Sequence, residues 1–161
     1  MILSAHQIRN ILPYKYPFVF LDGVKSYTQN IEIESYKNVT ISENCFNGHM
    51  TDFPIFPGVL IIECIAQTCS LHSILDTIGF KTDAKTTKPV DDDIKIGVLG
   101  AVDITFYEPV FPGHKINIIA KVDYERFGKR IYNFETFIEN GGKNSSGKLV
   151  VGQVSKSQMQ P

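Results

Sequence analysis

The residues with the most chemical content lie in one short stretch, 48–67, GHMTDFPIFPGVLIIECIAQ. His49 sits in a loop rich in glycine and proline that leads straight into an apolar segment. Fourteen residues on, Glu63 is the single charged residue between Val59 and Leu71, set among Ile61, Ile62, Cys64 and Ile65. A carboxyl in such surroundings has its pKa raised, because burial disfavours the charged form. That is the state required of a general acid near neutral pH. Gln67 follows Glu63 by four residues and shares its helical face.

A third component comes from the segment after Pro57. If Pro57-Gly58-Val59 opens a helix, its first N–H groups lack partners and carry the positive end of the dipole. Gly58 has no side chain to block approach, so a carbonyl placed there would be polarised as in an oxyanion hole. Base, acid and oxyanion donor are the groups a β-elimination needs. Taken alone, the pair admits blander readings: a loop histidine can be structural, and a buried glutamate can be tied to a basic side chain.

These residues need elements to position them. Residues 57–78 form the one long helical candidate, with Pro57 in the first turn and Gly79 just past the end. Its first half is apolar nearly all round, which predicts a helix buried on most sides. Ser4 followed by Gln7 is a capping-box pattern for a short helix that must stop by Pro13. Phe18 to Leu21 reads as a strand ending in a turn at Asp22-Gly23, and 31–41 as a half-buried strand. Strand-like segments near 95–107, 115–125, 130–139 and 148–156 are separated by Pro112-Gly113, by Phe127-Gly128-Lys129 and by a turn from Gly141 to Gly147. Residues 81–93 read as a polar loop. One buried helix with consecutive antiparallel strands is an α+β arrangement, and a helix apolar on nearly every side calls for a sheet curved around it.

At 161 residues the chain is one domain by length, 1–161. Apolar residues make up 43% and charged residues 20%, the composition of a globular protein. A net charge of -1 argues against a nucleic-acid binder. No uninterrupted apolar run has the length of a membrane span and no signal peptide is visible, so the expected location is the cytoplasm. Cys45, Cys64 and Cys69 match no metal or redox spacing and read as small hydrophobes. No metal is expected.

The stretch resembles the 3-hydroxyacyl-acyl-carrier-protein dehydratases of fatty acid synthesis, in the register of Gly48-His49, Pro54, Pro57-Gly58-Val59-Leu60, Glu63 and Ala66-Gln67. Leu12-Pro13 with Tyr16-Pro17-Phe18, and Gly100 with Asp103, Phe106, Pro109-Val110 and Pro112-Gly113, extend the similarity over most of the chain. The resemblance implies a hotdog fold, a curved antiparallel sheet wrapped on one long central helix. It implies His49 as the base that removes the C2 proton of a (3R)-3-hydroxyacyl thioester, and Glu63, reaching across a dimer, as the acid for the departing hydroxyl. Gly58, Val59 and Gln67 are then expected to contact substrate. The implied partner is an acyl carrier protein bearing a phosphopantetheine-linked chain, in a homodimer or trimer of dimers, with no cofactor.

The departures from the family pattern matter too. Met50-Thr51 stand in place of Phe-Pro, Tyr14 in place of His, Gly23 in place of Arg, and Tyr107-Glu108 in place of two basic residues. The lost charges point to a dedicated carrier, as in polyketide, polyene or other specialised lipid synthesis. Of the remaining histidines, His6 and His72 read as surface or satisfied polar groups and His114 as a turn residue. The aromatic residues of 106–111 read as core and tunnel lining. Lys121, Arg126, Lys129 and Arg130 read as a solvated basic cluster or, alternatively, a carrier-docking face. Two rival functions use the same features: a hotdog thioesterase and a non-catalytic acyl-binding module.

Overall fold

The computed structural model describes residues 1–50, 52–81 and 96–154. The chain opens with a two-residue strand β1 (Leu3–Ser4) and a helix α1 (Ala5–Ile11). The Ser4 N–H donates to the Gln7 side-chain oxygen at 2.9 Å, as the capping pattern predicts. Leu12 is extended (φ -69°, ψ 144°), as the residue before Pro13 must be.

The central helix α2 (Gly58–Thr77) begins one residue after Pro57, whose carbonyl accepts from the N–H groups of Leu60 (2.9 Å) and Ile61 (3.2 Å). Gly79 takes the left-handed conformation expected just past its end, φ 61°. Every residue from Cys64 to Leu75 is buried. By length and mean hydropathy (1.5) this helix could cross a membrane, but 72% of its most apolar window is buried within the fold, so it is a core helix. Cys64 and Cys69 are wholly buried on it, as small hydrophobes should be.

Around α2 wraps one seven-stranded sheet in the order β1-β2-β3-β5-β6-β7-β4, with every pairing antiparallel. Its remaining strands are β2 (Gly23–Thr28), β3 (Glu32–Asn38), β4 (Ile96–Phe106), β5 (Lys115–Arg126), β6 (Lys129–Ile138) and β7 (Lys143–Val154). Inward-facing Ile33, Ile116, Ile118, Ala120, Tyr132, Phe134, Leu149 and Val151 meet Ile61, Ile65, Leu71, Ile74 and Leu75 of α2 in one core. This is the hotdog arrangement. The β5–β6 hairpin turns on Phe127 (φ 51°) and Gly128 (φ 68°), the paired positive φ values of a tight hairpin turn.

Three local expectations are corrected. Residues 18–21 are not a strand; pairing starts at Gly23, and the first hairpin turns at residues 29–31 instead of Asp22-Gly23. The backbone of 18–20 is instead held by the Gln67 side chain. The turn expected from Gly141 to Gly147 is shorter, because β7 starts at Lys143. Asn144 and Ser145 are buried there, their side chains taken up by the Thr136 hydroxyl. The third concerns Arg130, which is buried and not solvated: it pairs with Asp76 and with Glu125 (3.0 Å). The loop expected at 81–93 lies, beyond Lys81, outside the described residues.

Near the C-terminal end of α2, His72 is wholly buried in a polar network. Its ring nitrogens meet the Tyr132 hydroxyl at 3.1 Å and the Thr28 carbonyl at 3.2 Å, with Asp76 at 3.6 Å. Asp76 also accepts from the Tyr27 hydroxyl (2.6 Å), the Asn30 N–H (3.0 Å) and Arg130. Burial lowers the His72 pKa, with Asp76 opposing and Arg130 assisting. In the unfolded chain His72 takes a proton near its ordinary pKa of about 6.5; in the folded chain it does so only at lower pH. Its contribution to stability is therefore present above that range and lost as pH falls through the folded pKa. Thermal unfolding should show Tm falling between pH 7.5 and 5.5. His72→Gln should lower Tm at pH 7.5 and flatten that fall, and an unchanged slope would contradict the role given to His72.

Candidate functional site

His49 is placed by a short 3-10 helix, Asn44–Asn47, which ends at Gly48. The His49 N–H donates to the Cys45 carbonyl at 2.8 Å, closing that turn. Its ring Nδ1 lies 2.7 Å from the Ile55 carbonyl. A carbonyl can only accept, so Nδ1 carries the proton and the Nε2 lone pair is left free. The ring is half-buried. Met50, next in the chain, has φ 61°, an uncommon conformation for a side-chain-bearing residue. The loop backbone thus turns sharply where the sequence departs from the family's Phe-Pro.

Glu63 lies in the second turn of α2 and is half-buried. Burial raises its pKa, while a hydrogen bond from Gln67 works in the opposite sense. Gln67 itself is wholly buried and fully engaged. Its Nε2 donates to Glu63 Oε1 (2.9 Å) and to the Phe18 carbonyl (2.9 Å), and its Oε1 accepts from the Phe20 N–H (3.0 Å). Gln67 therefore stands behind Glu63 and ties it to the 18–20 segment.

At the helix start, the N–H groups of Gly58 and Val59 donate to no described residue, and Val59 is 71% exposed. A Cβ on Gly58 would lie 3.1 Å from the Phe106 ring, so glycine keeps this end of the helix open. A cavity of about 260 Å³ adjoins it, lined among others by Ile55, Gly58, Phe106, Glu108 and Asn144. A second cavity, about 300 Å³, holds Glu63 together with Tyr14, Phe18, Ala66, Ser70 and the β4 residues Gly97, Val98 and Leu99. His49 lines neither cavity, and no hydrogen bond joins His49 to Glu63 within the chain among the described residues.

Residues 12–144 match the FabA-like domain family, more than half of the chain. The chain belongs to the FabA-like family. Among curated members, the 3-hydroxyacyl-[acyl-carrier-protein] dehydratase FabZ of Teredinibacter turnerae is 37% identical over 142 residues, covering 88% of this chain and 90% of that protein. That of Nitratidesulfovibrio vulgaris is 32% identical over 154 residues, covering 96% and 92%. In fold, the chain is similar to the dehydratase heterocomplex ApeI:P from Xenorhabdus doucetiae (TM-score 0.71, 16% identity, covering 94% of this chain and 93% of that one). It is also similar to smu.793 from Streptococcus mutans bound to acetyl CoA (TM-score 0.62, 12% identity, covering 91% and 98%).

The sequence located His49, Glu63, Gly58 and Gln67 but did not reveal what Gln67 holds. Tyr14 registered there only as a departure from the family pattern, and Ser70 not at all; Ser70 lies seven residues after Glu63, a spacing that keeps both on one helical face. The Phe18 and Phe20 contacts of Gln67 join positions 47 and 49 residues apart, beyond any local pattern.

Replacing Gln67 by leucine should leave the Phe20 N–H and Phe18 carbonyl unpaired, each loss costing roughly 1–3 kcal/mol. It should also raise the pKa of Glu63 further. Chemical denaturation and a pH titration of Glu63 by NMR read the two effects. A variant as stable as the parent with an unmoved Glu63 titration would show that the clamp has no role.

Proposed function

We propose that the chain removes water from a (3R)-3-hydroxyacyl thioester carried on an acyl carrier protein, giving the trans-2-enoyl thioester. The carrying observation is the complementary disposition of two groups in family register: His49 with a free Nε2 lone pair, and Glu63 with its carboxyl pKa raised by burial. One domain spanning 1–161 supplies both. Among dehydratases named for this reaction, two share 37% and 32% identity over most of the chain, which supports the reaction class.

The steps follow from those states. His49 Nε2 takes the C2 proton, and the C2–H electrons form the C2=C3 double bond as the C3–O bond breaks. The Glu63 proton passes to the departing hydroxyl, so water leaves. Charge developing on the thioester oxygen is met by the free N–H groups of Gly58 and Val59 at the positive end of α2. Gln67 does not touch substrate in this scheme; it orients Glu63. The groups act without a cofactor.

The site is completed by a second copy. Within one chain His49 and Glu63 are not joined, and β4 is an edge strand with Val98, Leu99, Val102 and Phe106 between 36% and 44% exposed. A long apolar edge strand of this kind calls for a partner, and isologous dimers are the commonest assembly. The dimer or a trimer of dimers brings Glu63 of one copy to His49 of the other.

Carrier recognition relies on direct contacts more than on long-range attraction. Of the four basic residues near the β5–β6 hairpin, Arg130 is tied to Asp76 and Glu125, and Lys121 to Glu32 at 3.0 Å. Arg126 and Lys129 form no ion pair among the described residues. With net charge -1, steering of an acidic carrier is weak. This favours a dedicated carrier in a specialised lipid or polyketide-type pathway in the cytoplasm.

His49→Ala and Glu63→Ala should each lower turnover of a 3-hydroxyacyl carrier thioester by on the order of 10²–10⁴. Mixed after subunit exchange, the two variants should regain part of the activity through heterodimers holding one whole site. Near-parental turnover by either folded variant would sink the assignment, as would release of free thiol without enoyl product. An active monomer in sedimentation would remove the shared site. On the parent enzyme, kcat/KM for carrier substrate should drop only modestly between 50 and 200 mM salt (about the range over which polyelectrolyte contacts are lost). A steep drop would reveal a basic docking surface.

A further inference from the structure

The Glu63 cavity contains a polar feature that the elimination chemistry does not use. Glu63, Ala66 and Ser70 lie at spacings of three and four along one face of α2, and all three line it. Ser70 is only 4% exposed. Other hydroxyls on this helix are satisfied locally: Thr68 donates to the Cys64 carbonyl (2.8 Å) and Thr77 to the Ser73 carbonyl (2.9 Å). Ser70 donates to no carbonyl among the described residues. Its hydroxyl instead adjoins the Tyr14 phenol, which reaches only the Gly97 carbonyl, at 3.5 Å. Two buried or half-buried hydroxyls therefore face the cavity as neighbours of one another, with only the Gly97 carbonyl, at 3.5 Å, as a further partner among the described residues.

Around them the wall is apolar: Phe18, Ala66, Val98, Leu99 and Val151. The glycine at 97 is required for this arrangement, since a Cβ there would stand 2.5 Å from the Ser70 oxygen. Ser70 lies seven residues beyond Glu63, about 10 Å along the helix at 1.5 Å per residue. A group bound at Glu63 by its C3 hydroxyl would have the distal part of its acyl chain within reach of the pair.

We propose that Tyr14 and Ser70 form a polar subsite for the acyl tail, selecting chains that carry a hydroxyl or carbonyl oxygen at their far end over methyl-terminated ones. The proposal rests on the dehydratase reading of the Glu63 site for its orientation. A methyl end would press against two hydroxyls and leave them only each other and the Gly97 carbonyl, whereas a tail hydroxyl accepts from one and donates to the other, and a tail carbonyl accepts from either. Sites built to pair a buried polar group discriminate against analogues that lack it far more than apolar pockets discriminate by size.

The test uses 3-hydroxyacyl pantetheine thioesters of equal length ending in methyl or in hydroxymethyl, with the full-length protein. The parent's kcat/KM should favour the hydroxyl-ended chain by about tenfold, the size of one or two net hydrogen bonds. Tyr14→Phe, which keeps the ring, and Ser70→Ala should each bring that ratio toward one. Calorimetric binding of the two saturated acyl-pantetheines, which cannot be dehydrated, should show the same preference. Equal binding and equal kcat/KM for the two tails would overturn the subsite, as would a preference that survives both substitutions. Absence of turnover on 3-hydroxybutyryl-pantetheine as well would overturn the dehydratase reading, while a tail preference in binding would still establish the subsite.

Discussion

The burial of α2 along most of its length is the constraint from which the other features follow. Large apolar side chains such as Ile61, Ile65, Leu71, Ile74 and Leu75 each contribute about 1.5–3 kcal/mol when taken from water, and they point to different sides of the helix. A flat sheet could cover only one side, so the strands curve around it. The same enclosure strips water from whatever else the helix carries. Gln67, Thr68, Ser70, His72 and Ser73 are all buried with it. Each must find a partner or stand as an unpaired group at a cost of about 1–3 kcal/mol.

How those polar residues are satisfied divides the helix into a structural end and a chemical end. Towards the C-terminus, His72 and Ser73 share the Tyr132 hydroxyl, and Asp76 gathers Tyr27, Asn30 and Arg130 into a closed network. Towards the N-terminus, Gln67 satisfies itself on the 18–20 backbone and leaves one donor for Glu63. Glu63 has a single held oxygen and a cavity in front of it. A carboxyl desolvated but not neutralised by a basic partner holds its proton to higher pH than a solvated one. In this fold the helix that forms the core also sets the acidity of the group at its start.

What the sequence made legible was whatever depends on short spacing. The limits of α2, the capping of α1, the hairpin at Phe127-Gly128 and the positions of His49 and Glu63 are all local patterns, and the structure places elements close to where those patterns predict them. What escaped was decided by distant partners. Phe18 to Leu21 has a strand-like composition, but its backbone is claimed by the Gln67 amide 47 and 49 residues away. Asn144 and Ser145 look like turn residues until Thr136 on the neighbouring strand pairs with them. Arg130 looks like surface charge because nothing nearby in sequence announces Asp76. The second error has a plain physical source: polar groups that favour turns locally are equally content inside a sheet once their hydrogen bonds are met.

The position of β4 explains why the two chemical groups are not assembled within a single chain. After α2 the chain crosses to the far edge of the sheet, where β4 pairs with β7 and ends the sheet. Gly97, Val98 and Leu99 of that strand form one wall of the Glu63 cavity, while Val98, Leu99, Val102 and Phe106 remain partly open to solvent. The wall of the acid's cavity and the unpaired edge of the sheet are therefore the same element. Any chain that pairs with this edge also closes the cavity, removing water from Glu63 and strengthening every electrostatic interaction within it. In the proposed dimer a second copy is that partner, its edge having the matching length and apolar pattern. Under that proposal assembly and acidity are coupled: the contact that satisfies the exposed edge is the one that deepens the desolvation raising the Glu63 pKa.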